Sequence, residues 1–450
     1  MSDRIGELIN SRIDAIKAGQ SIYSVGKVTR VANYILEVAG LEDVFYFERV
    51  YIGNKGEGYV SHIGRSSVTV ELVKRAASIY VGDEVTSSGK MFSAMASPDF
   101  VGHIVDIFGE DKLTGNKFRE LAEIPAVSPN VPIMDRRTVK KPLYTGLCGI
   151  DLLYPIGKGQ RQLIIGDKKT GKTQIGLDAI ANQRGQGVIC IYVALGKSKK
   201  TVKGVYNELL ARGAMSYTVI MAAFQEDCAP MLYITPQVAL SLALAYMQQK
   251  RDVLVIMDDL TQHANTYREI SLLAGKAPGR DAYPPDIFYT HASMLELGCQ
   301  HKNGGSITIL PIVETRGGDI TDYIATNIIS ITDGQIVTSS KSFEKGQKPA
   351  INFGLSVSRL GGQVQIPAMK ALGTSIKREL LSYLETKEIF ELANIDEMSA
   401  EMRDKLTRGK EMLERMKQYR FDPMTPDGMA ERFGKFAEAP ETPAPAESVK

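Results

Sequence analysis

The chain lacks tryptophan and has almost no net charge. Its 54 lysines and arginines nearly balance 52 aspartates and glutamates, which gives a formal net charge of +2. Proteins that bind nucleic acids usually present a strongly basic surface, and those that hold single strands add aromatic rings on which bases stack. The composition therefore argues against a nucleic acid as the partner.

Cysteine is also scarce. The chain has four cysteines, Cys148, Cys190, Cys228 and Cys299. None of them belongs to a CxxC pair, the short spacing that structural zinc sites use. We therefore expect reduced thiols that pack as small hydrophobic side chains, which suits a reducing compartment.

Long uncharged apolar runs are a third feature that we expect the chain to lack. Charges are spread through the first 19 residues, MSDRIGELINSRIDAIKAG, so this end does not resemble a signal peptide. We expect no run of about 18 uncharged apolar residues, and hence no membrane-spanning segment. Any association with a membrane is expected to come through partner subunits.

The order of sequence patterns predicts a mixed fold of two or three domains, as the length of 450 residues suggests. Apolar residues at helical spacing predict an N-terminal helix over residues 1–19, either an end cap or a docking handle for another subunit. Short β-rich runs between glycine-containing turns predict a small barrel or sandwich over residues 20–90.

The rest of the chain changes pattern twice. Residues 91–365 alternate apolar strands, such as GVICIYVAL and VLVIMDDL, with amphipathic helices. This alternation predicts a parallel sheet covered by helices on both faces. Residues 366–424 are predicted to be helical, and residues 425–450, which end in a stretch rich in Pro, Ala and Glu, are predicted to remain disordered.

A phosphate-binding loop is predicted at residues 166–173, GDKKTGKT, which match the pattern GxxxxGK[ST]. An apolar strand precedes the loop and a helix follows it, the context that the pattern requires. Gly166 and Gly171 let the backbone turn its N–H groups toward phosphate oxygens, and Lys172 brings a positive charge to the outer phosphates. The hydroxyl of Thr173 can ligate magnesium.

We predict that the whole loop contacts nucleotide. Its residues are Gly166, Asp167, Lys168, Lys169, Thr170, Gly171, Lys172 and Thr173. Lys168 and Lys169 either help to hold phosphate or point to solvent, and the sequence leaves both possibilities open.

A magnesium-binding carboxylate is predicted at the end of the strand VLVIMDDL, residues 253–260. In a parallel sheet this end lies beside the phosphate-binding loop. Asp258 comes first off the strand and can hold magnesium together with Thr173, usually through a water molecule. Asp259 is the alternative, and both aspartates could instead cap the next helix.

Several longer segments resemble one protein family. They read PIGKGQRQLIIGDKKTGKT, APGRDAYPPDIFYTHASMLE, ITILPIVET, TNIISITDGQI and KPAINFGLSVSRLGG. Their order and spacing resemble those of the alpha subunits of F-type ATP synthases, from near residue 5 to about residue 424. The resemblance implies an N-terminal β-barrel, a central RecA-like P-loop α/β domain and a C-terminal helical domain that is shortened here.

The resemblance also implies partners. In that family, alpha subunits alternate with catalytic beta subunits in a hexamer around a central, gamma-like stalk, and a peripheral stalk lies outside the ring. It implies a non-catalytic, regulatory chain that binds ATP or ADP with Mg²⁺ and serves proton-coupled ATP synthesis or hydrolysis. The expected location is the cytoplasmic face of the cell membrane, as a peripheral protein.

Two positions decide between an alpha-like and a beta-like chain. In beta the catalytic base is the glutamate of a Gly-Glu pair after the second strand, and the usual alpha subunit has glutamine there, whereas this chain has Gly196 and Lys197. A charged lysine cannot act as a base, so the chain's own site is expected to be catalytically inactive. Arg359 in GLSVSRLGG resembles the arginine that alpha extends to the neighbouring catalytic site, and Ser356 resembles the serine before it. Without the resemblance, Arg359 would be interpreted as a surface salt bridge.

The chain departs from the alpha pattern near the nucleotide. Lys169 and Lys348 stand where alpha subunits usually have glutamine and arginine. In KQYRFDPM, Gln418 retains one adenine-pocket glutamine, and Arg420 replaces the other. We expect Gln418 and Arg420 to contact nucleotide, with altered affinity or base preference.

Three rival hypotheses stay open. The shortened C-terminal region suggests a specialised rotary ATPase without an ordinary proton channel, which neighbouring genes for standard membrane-rotor and peripheral-stalk subunits would contradict. A homohexameric RecA-like motor would need its own glutamate where Lys197 stands. A scaffold that has lost nucleotide conflicts with the intact loop.

Overall fold

The computed structural model of the protein describes residues 24–115, 117–390 and 400–436. The predicted N-terminal helix over residues 1–19 lies outside these ranges, as does the end of the predicted tail from residue 437. The predicted fold class is confirmed: a barrel, a parallel sheet flanked by helices, and a helical C-terminal part follow one another along the chain.

The N-terminal part is a closed antiparallel barrel with strand order β1-β2-β5-β4-β3-β6. Its strands are β1 (Val25–Ala32), β2 (Ile35–Ala39), β3 (Glu48–Ile52), β4 (Gly56–Ile63), β5 (Val68–Arg75) and β6 (Glu84–Met91). Inward-facing valines and leucines such as Val38, Val60 and Leu72 are fully buried. The closed order leaves no edge strand, which resolves the choice between barrel and sandwich in favour of the barrel.

The remaining strands belong mainly to the central sheet. They are β7 (Ser93–Ala96), β8 (Ile104–Val105), β9 (Ala122–Pro125), β10 (Arg136–Arg137), β11 (Pro142–Leu143), β12 (Ile156–Gly157), β13 (Leu163–Asp167), β14 (Val188–Lys197), β15 (Thr218–Phe224), β16 (Asp252–Asp258), β17 (Cys299–His301), β18 (Ser306–Thr315), β19 (Gly334–Thr338) and β20 (Val357–Ser358). The main path runs β20-β19-β13-β18-β16-β14-β15-β8, and its strands are parallel except for β20.

Helices cover this sheet. Those of the central part are α1 (Cys148–Asp151), α2 (Lys172–Ala181), α3 (Lys199–Ala211), α4 (Ala229–Gln248), α5 (Leu260–Leu273), α6 (Ile287–Leu295), α7 (Tyr323–Ile331) and α8 (Ser340–Glu344). The first eight residues of β14 are all buried, because helices cover both faces of the sheet. The carboxyl ends of β13, β18, β16 and β14 lie side by side in that order, at the site described below.

Helix α4 corrects the expectation about apolar runs. Its 20 residues carry no charge and have a mean hydropathy of 1.2, enough for a membrane span by length and composition. However, 78% of its most apolar window is buried inside the protein. Pro236 lies within the helix, and its side chains pack into the central core. The apolar character is explained by burial against the sheet.

The C-terminal part contains α9 (Pro367–Phe390), α10 (Ala400–Arg415) and α11 (Pro426–Phe433). Strand β6 and helix α9 bracket the central part close to the predicted boundaries at residues 90 and 366, which remain predictions. The prediction of disorder from residue 425 is wrong for residues 426–436. Helix α11 and the turn after it bury Phe433 and Phe436 almost completely, because the hydrophobic cluster that includes α9 side chains provides a surface for them.

The four cysteines are free thiols, three of them buried and Cys228 half-buried. This agrees with the expectation of small hydrophobic side chains.

Candidate nucleotide-binding site

The predicted phosphate-binding loop connects β13 to α2. Gly166 has φ 154° and Gly171 has φ 94°, and a side chain at Gly166 would collide with Thr338 on the neighbouring strand β19. Gly171 precedes α2 and supplies no side chain to cap the helix. The first N–H groups of α2 therefore face the loop without a side-chain acceptor, which is an arrangement that binds phosphate.

Two polar side chains of the loop hold its shape. The carboxylate of Asp167 accepts hydrogen bonds from Thr315 Oγ1 (2.8 Å), the Gly318 amide (2.7 Å) and Ser340 Oγ (2.9 Å). The hydroxyl of Thr170 donates to the Asp167 carbonyl at 2.8 Å. The predicted contacts of Asp167 and Thr170 with nucleotide are therefore restricted to their backbone groups.

The lysines of the loop differ in their surroundings. Lys172 is buried, and its Nζ donates to the Asp167 carbonyl at 2.5 Å. Burial lowers the pKa of its ammonium, while the carboxylates of Glu314 and Asp259 oppose that shift. Lys168 is mostly exposed, and Lys169 lines both cavities of the site. Lys172 is thus the loop cation that is shielded from water and available to a phosphate.

Asp258 ends β16 directly beside the loop. Its Oδ2 accepts hydrogen bonds from Thr173 Oγ1 and from the Tyr192 hydroxyl, both at 2.7 Å. Asp259 instead caps α5 by accepting from the Gln262 amide at 2.7 Å. The two aspartates therefore differ in position: Asp258 faces the loop, and Asp259 caps the helix. Tyr192, in the middle of an apolar strand, gave no sequence signal for this contact.

Lys197 ends β14 and turns its ammonium into the same place. Nζ lies 2.9 Å from Asp258 Oδ1 and 3.1 Å from Asp259 Oδ2. These carboxylates outweigh burial and raise the pKa of Lys197, so it stays protonated at neutral pH. A protonated ammonium cannot accept a proton from water.

The donor set at Thr173 and Asp258 does not fit the predicted magnesium ion. The two residues are together as predicted, but the carboxylate is already paired with the Lys197 ammonium. An ammonium and a divalent ion about 4 Å apart repel each other by roughly 8 kcal/mol at an effective dielectric constant near 20. A divalent ion at Asp258 would have to displace Lys197 or tolerate this repulsion.

A cavity of about 500 Å³ lies over the loop and is lined by Lys172, Thr173, Lys197 and Asp258 among others. A second cavity of about 760 Å³ continues from Gly171 past Gln174 and Ile175. Glu208 and Lys169 line both. Together they offer a polar chamber for phosphates and a larger, more apolar chamber for a sugar and base.

Aromatic rings line the larger cavity, and the sequence did not point to them. The guanidinium of Arg212 lies 4.5 Å from the centre of the Phe421 ring. Lys348 Nζ lies 5.5 Å from the centre of the Phe343 ring. Both rings line the cavity beside these cations, where a base could contact them. Arg212 and Phe421 are far apart in the sequence, so no local sequence pattern predicts their contact.

Gln418 is part of the wall of the larger cavity. Its Oε1 accepts from the Cys148 amide at 2.6 Å, and its Nε2 donates to the carbonyls of Gly146 (2.9 Å) and Asp422 (3.0 Å). Both amide hydrogens are therefore used within the protein. The side chain thus anchors the segment that carries Phe421, and the contact of Gln418 with nucleotide stays a prediction.

Replacing Gln418 by leucine should destabilise the protein. The buried Cys148 amide and the Asp422 carbonyl would lose this partner, at about 1–3 kcal/mol for each unsatisfied group. The Gly146 carbonyl would keep its hydrogen bond from the Met424 amide. We expect the free energy of unfolding to fall by roughly 2–5 kcal/mol in urea denaturation. Gln186→Leu, at an exposed position, is the matched control. Unchanged stability with weakened ATP binding would instead assign Gln418 to the nucleotide.

Arg420 is exposed at the cavity edge. Its Nη1 lies 3.6 Å from Glu208 Oε1, and its side chain is 69% exposed. The neighbouring Phe421 amide donates to Asp178 Oδ1 at 2.9 Å, which ties this segment to α2. Arg420 can reach a bound ligand, and its contact with nucleotide stays a prediction.

Arg359 and Ser356 lie away from both cavities. Ser356 is buried, where its hydroxyl donates to the Asn352 carbonyl at 2.7 Å and accepts from the Val337 amide at 3.0 Å. Arg359 is exposed, and among the described residues its guanidinium has no ion-pair partner. The structure therefore places Ser356 as a support for this segment and leaves the Arg359 side chain available to another molecule.

Comparison with known proteins extends the similarity over almost the whole chain. A family model described as ATP synthase alpha/beta family, nucleotide-binding domain, matches residues 146–358. ATP synthase subunit alpha of Macrococcus caseolyticus (strain JCSC5402) is 39% identical over 429 residues, which are 95% of this chain and 85% of that relative. ATP synthase subunit alpha of Staphylococcus aureus (strain bovine RF122 / ET3-1) is 40% identical over 427 residues, covering 94% and 84%.

Proposed function

The chain belongs to the family of F-type ATP synthase alpha subunits, and from that membership we propose that it is the non-catalytic subunit of a rotary ATPase ring. It binds ATP or ADP in its own P-loop without turnover. It contributes Arg359 to the active site of a neighbouring beta-like subunit. The observation that carries this proposal is the Lys197 ammonium, paired with Asp258 and Asp259 where a catalytic site needs a base.

Binding without turnover follows from the residues present. The glycine-shaped loop, the start of α2 and the Lys172 ammonium supply donors for phosphate oxygens. The Arg212–Phe421 pair and Phe343 supply flat surfaces for a base. No residue orients and deprotonates a water, because Lys197 stays protonated. Bound nucleotide therefore remains intact and can stabilise the subunit or regulate the ring.

The role of Arg359 depends on a neighbour. Its guanidinium is exposed and lies outside the chain's own cavities. An arginine delivered from one subunit to the γ-phosphate bound by the next stabilises the charge of the transition state. The proposed partners are a beta-like catalytic subunit in an alternating hexamer, a gamma-like central stalk and a peripheral stalk. Attachment through them to proton-translocating membrane subunits would place the chain peripherally on the cytoplasmic face.

The purified chain should bind ATP and hardly hydrolyse it. General acid–base catalysis contributes typically 10²–10⁴-fold, so loss of the base should leave turnover at least about a hundredfold below that of the assembled complex. The measurement is phosphate release under saturating ATP. A Lys172→Ala preparation provides the control for contaminating ATPase. Rapid hydrolysis by the chain alone, abolished by Lys197→Ala, would support a self-sufficient motor.

A further inference from the structure

The cation at the phosphate cavity is part of the chain itself. Lys197 enters from the end of β14, next to β16 in the sheet, where Ala194 pairs with Asp258. Its ammonium contacts one oxygen of each neighbouring aspartate, at 2.9 and 3.1 Å. The side chain is 27% exposed and lines the same cavity as Lys172 and Thr173. The ammonium therefore faces the space where the outer phosphates are expected.

The carboxylate of Asp258 has little capacity left for another cation. Oδ1 is paired with Lys197, and Oδ2 accepts hydrogen bonds from Thr173 and Tyr192. Tyr192 is fully buried, so this arrangement is fixed from below by the sheet. A hydrated divalent ion approaching Asp258 would have to remove an ammonium that two carboxylates hold.

The cavity has several ammonium groups besides that of Lys172, and the carboxylates of Glu208, Asp258, Asp259 and Glu314 also line it. Four lysines line it, namely Lys168, Lys169, Lys172 and Lys197. A metal ion bound with ATP serves mainly to neutralise and orient the phosphates. Ammonium groups can do the same as point charges. Because Asp258 and Asp259 hold Lys197 in place, its charge is available without reorganisation when the phosphates arrive.

We propose that this chain binds free ATP or ADP without Mg²⁺, with the Lys197 ammonium supplying the positive charge that the metal supplies in other P-loop sites. The proposal rests on the proposed nucleotide binding at this P-loop. Lys197 then has two effects at this site. It stands where a catalytic base would be needed, and its ammonium takes the place of the metal ion.

The test is nucleotide affinity with and without the metal. Titration of the full-length chain with a fluorescent ATP analogue should give an apparent affinity at least about tenfold higher in excess EDTA than in excess Mg²⁺, because excess Mg²⁺ converts most of the free nucleotide into its magnesium complex. In Lys197→Gln the preference should reverse, with binding at least tenfold weaker in EDTA than in Mg²⁺. Lys197→Arg, which keeps the positive charge, should retain the preference for metal-free nucleotide.

A direct readout of the metal completes the experiment. Mn²⁺ added with ATP should give no protein-bound signal in electron paramagnetic resonance for the unaltered chain, and a bound signal for Lys197→Gln. Lys199→Gln is the matched control, because Lys199 is 68% exposed, pairs with Glu226 and does not line the cavity. It should behave like the unaltered chain. Circular dichroism verifies that each variant is folded.

The outcomes separate this inference from the function on which it rests. Tight binding by the unaltered chain only in Mg²⁺, with bound Mn²⁺, would overturn the inference and leave nucleotide binding intact. No binding in either condition would overturn the proposed function itself. Equal affinities in both conditions for Lys197→Gln would also contradict the role given to Lys197.

Discussion

Replacing Arg359 by alanine should lower ATP turnover of the complex with a beta-like partner by about 10³-fold or more, the usual worth of an arginine delivered in trans. The guanidinium spreads its charge over a planar group that meets the transition-state charge of the phosphoryl group in a water-poor site. Arg359→Lys should also be strongly impaired, because an ammonium does not reproduce the planar, two-pronged hydrogen bonding. The measurement is steady-state hydrolysis by the purified complex.

Two controls make this result specific. Nucleotide binding by the chain's own P-loop should be unchanged in Arg359→Ala, since Arg359 lines neither cavity. Arg378→Ala, at an exposed arginine on α9, should leave turnover within about twofold. Equal turnover of the Arg359→Ala and Arg378→Ala complexes would return Arg359 to the role of an ordinary surface residue.

Replacing Lys172 by alanine should remove most nucleotide binding by the chain. The ammonium is buried and held by the Asp167 carbonyl until a phosphate offers it a better partner. Its loss would leave phosphates facing Asp258, Asp259 and Glu314, which line the same cavity. Truncating one member of a buried charge pair costs about 2–5 kcal/mol, or roughly 30-fold to several thousandfold in dissociation constant. Equilibrium titration with ATP measures this effect.

Lys168→Ala is the matched control for Lys172→Ala. Lys168 belongs to the same loop, but its side chain is 77% exposed and its closest carboxylate oxygen, on Glu314, is 3.9 Å away. We expect its affinity to change by less than about fivefold, as is usual for an exposed charge. Unchanged nucleotide retention and ring assembly in Lys172→Ala would favour the scaffold hypothesis.

The phosphate-binding loop could be predicted because its signals are local. Gly166, Gly171 and Lys172 lie between one strand and one helix, and their spacing alone fixes the turn and the cation. Asp258 could be predicted for a related reason, since the carboxyl ends of parallel strands meet at one edge of a sheet. The structure adds that Asp259 differs from Asp258, because Asp259 caps α5.

The remaining features depend on contacts between distant segments. Lys197 could be recognised as a missing base, but its pairing with Asp258 requires that β14 lie next to β16. The sequence also does not reveal that the Gln418 side chain is hydrogen-bonded to three backbone groups from distant and neighbouring segments. Phe433 and Phe436 lie in a stretch that looks too polar to order itself, and their burial depends on packing against earlier helices.

The central claim is that this chain binds nucleotide, does not hydrolyse it, and acts through its neighbour. The most direct test is single-turnover hydrolysis by the complex of this chain with its beta-like partner, after the base glutamate of the partner has been changed to glutamine. We expect hydrolysis to disappear while ATP stays bound to this chain. Residual hydrolysis that is lost on Lys172→Ala in this chain would show a second working site and contradict the account.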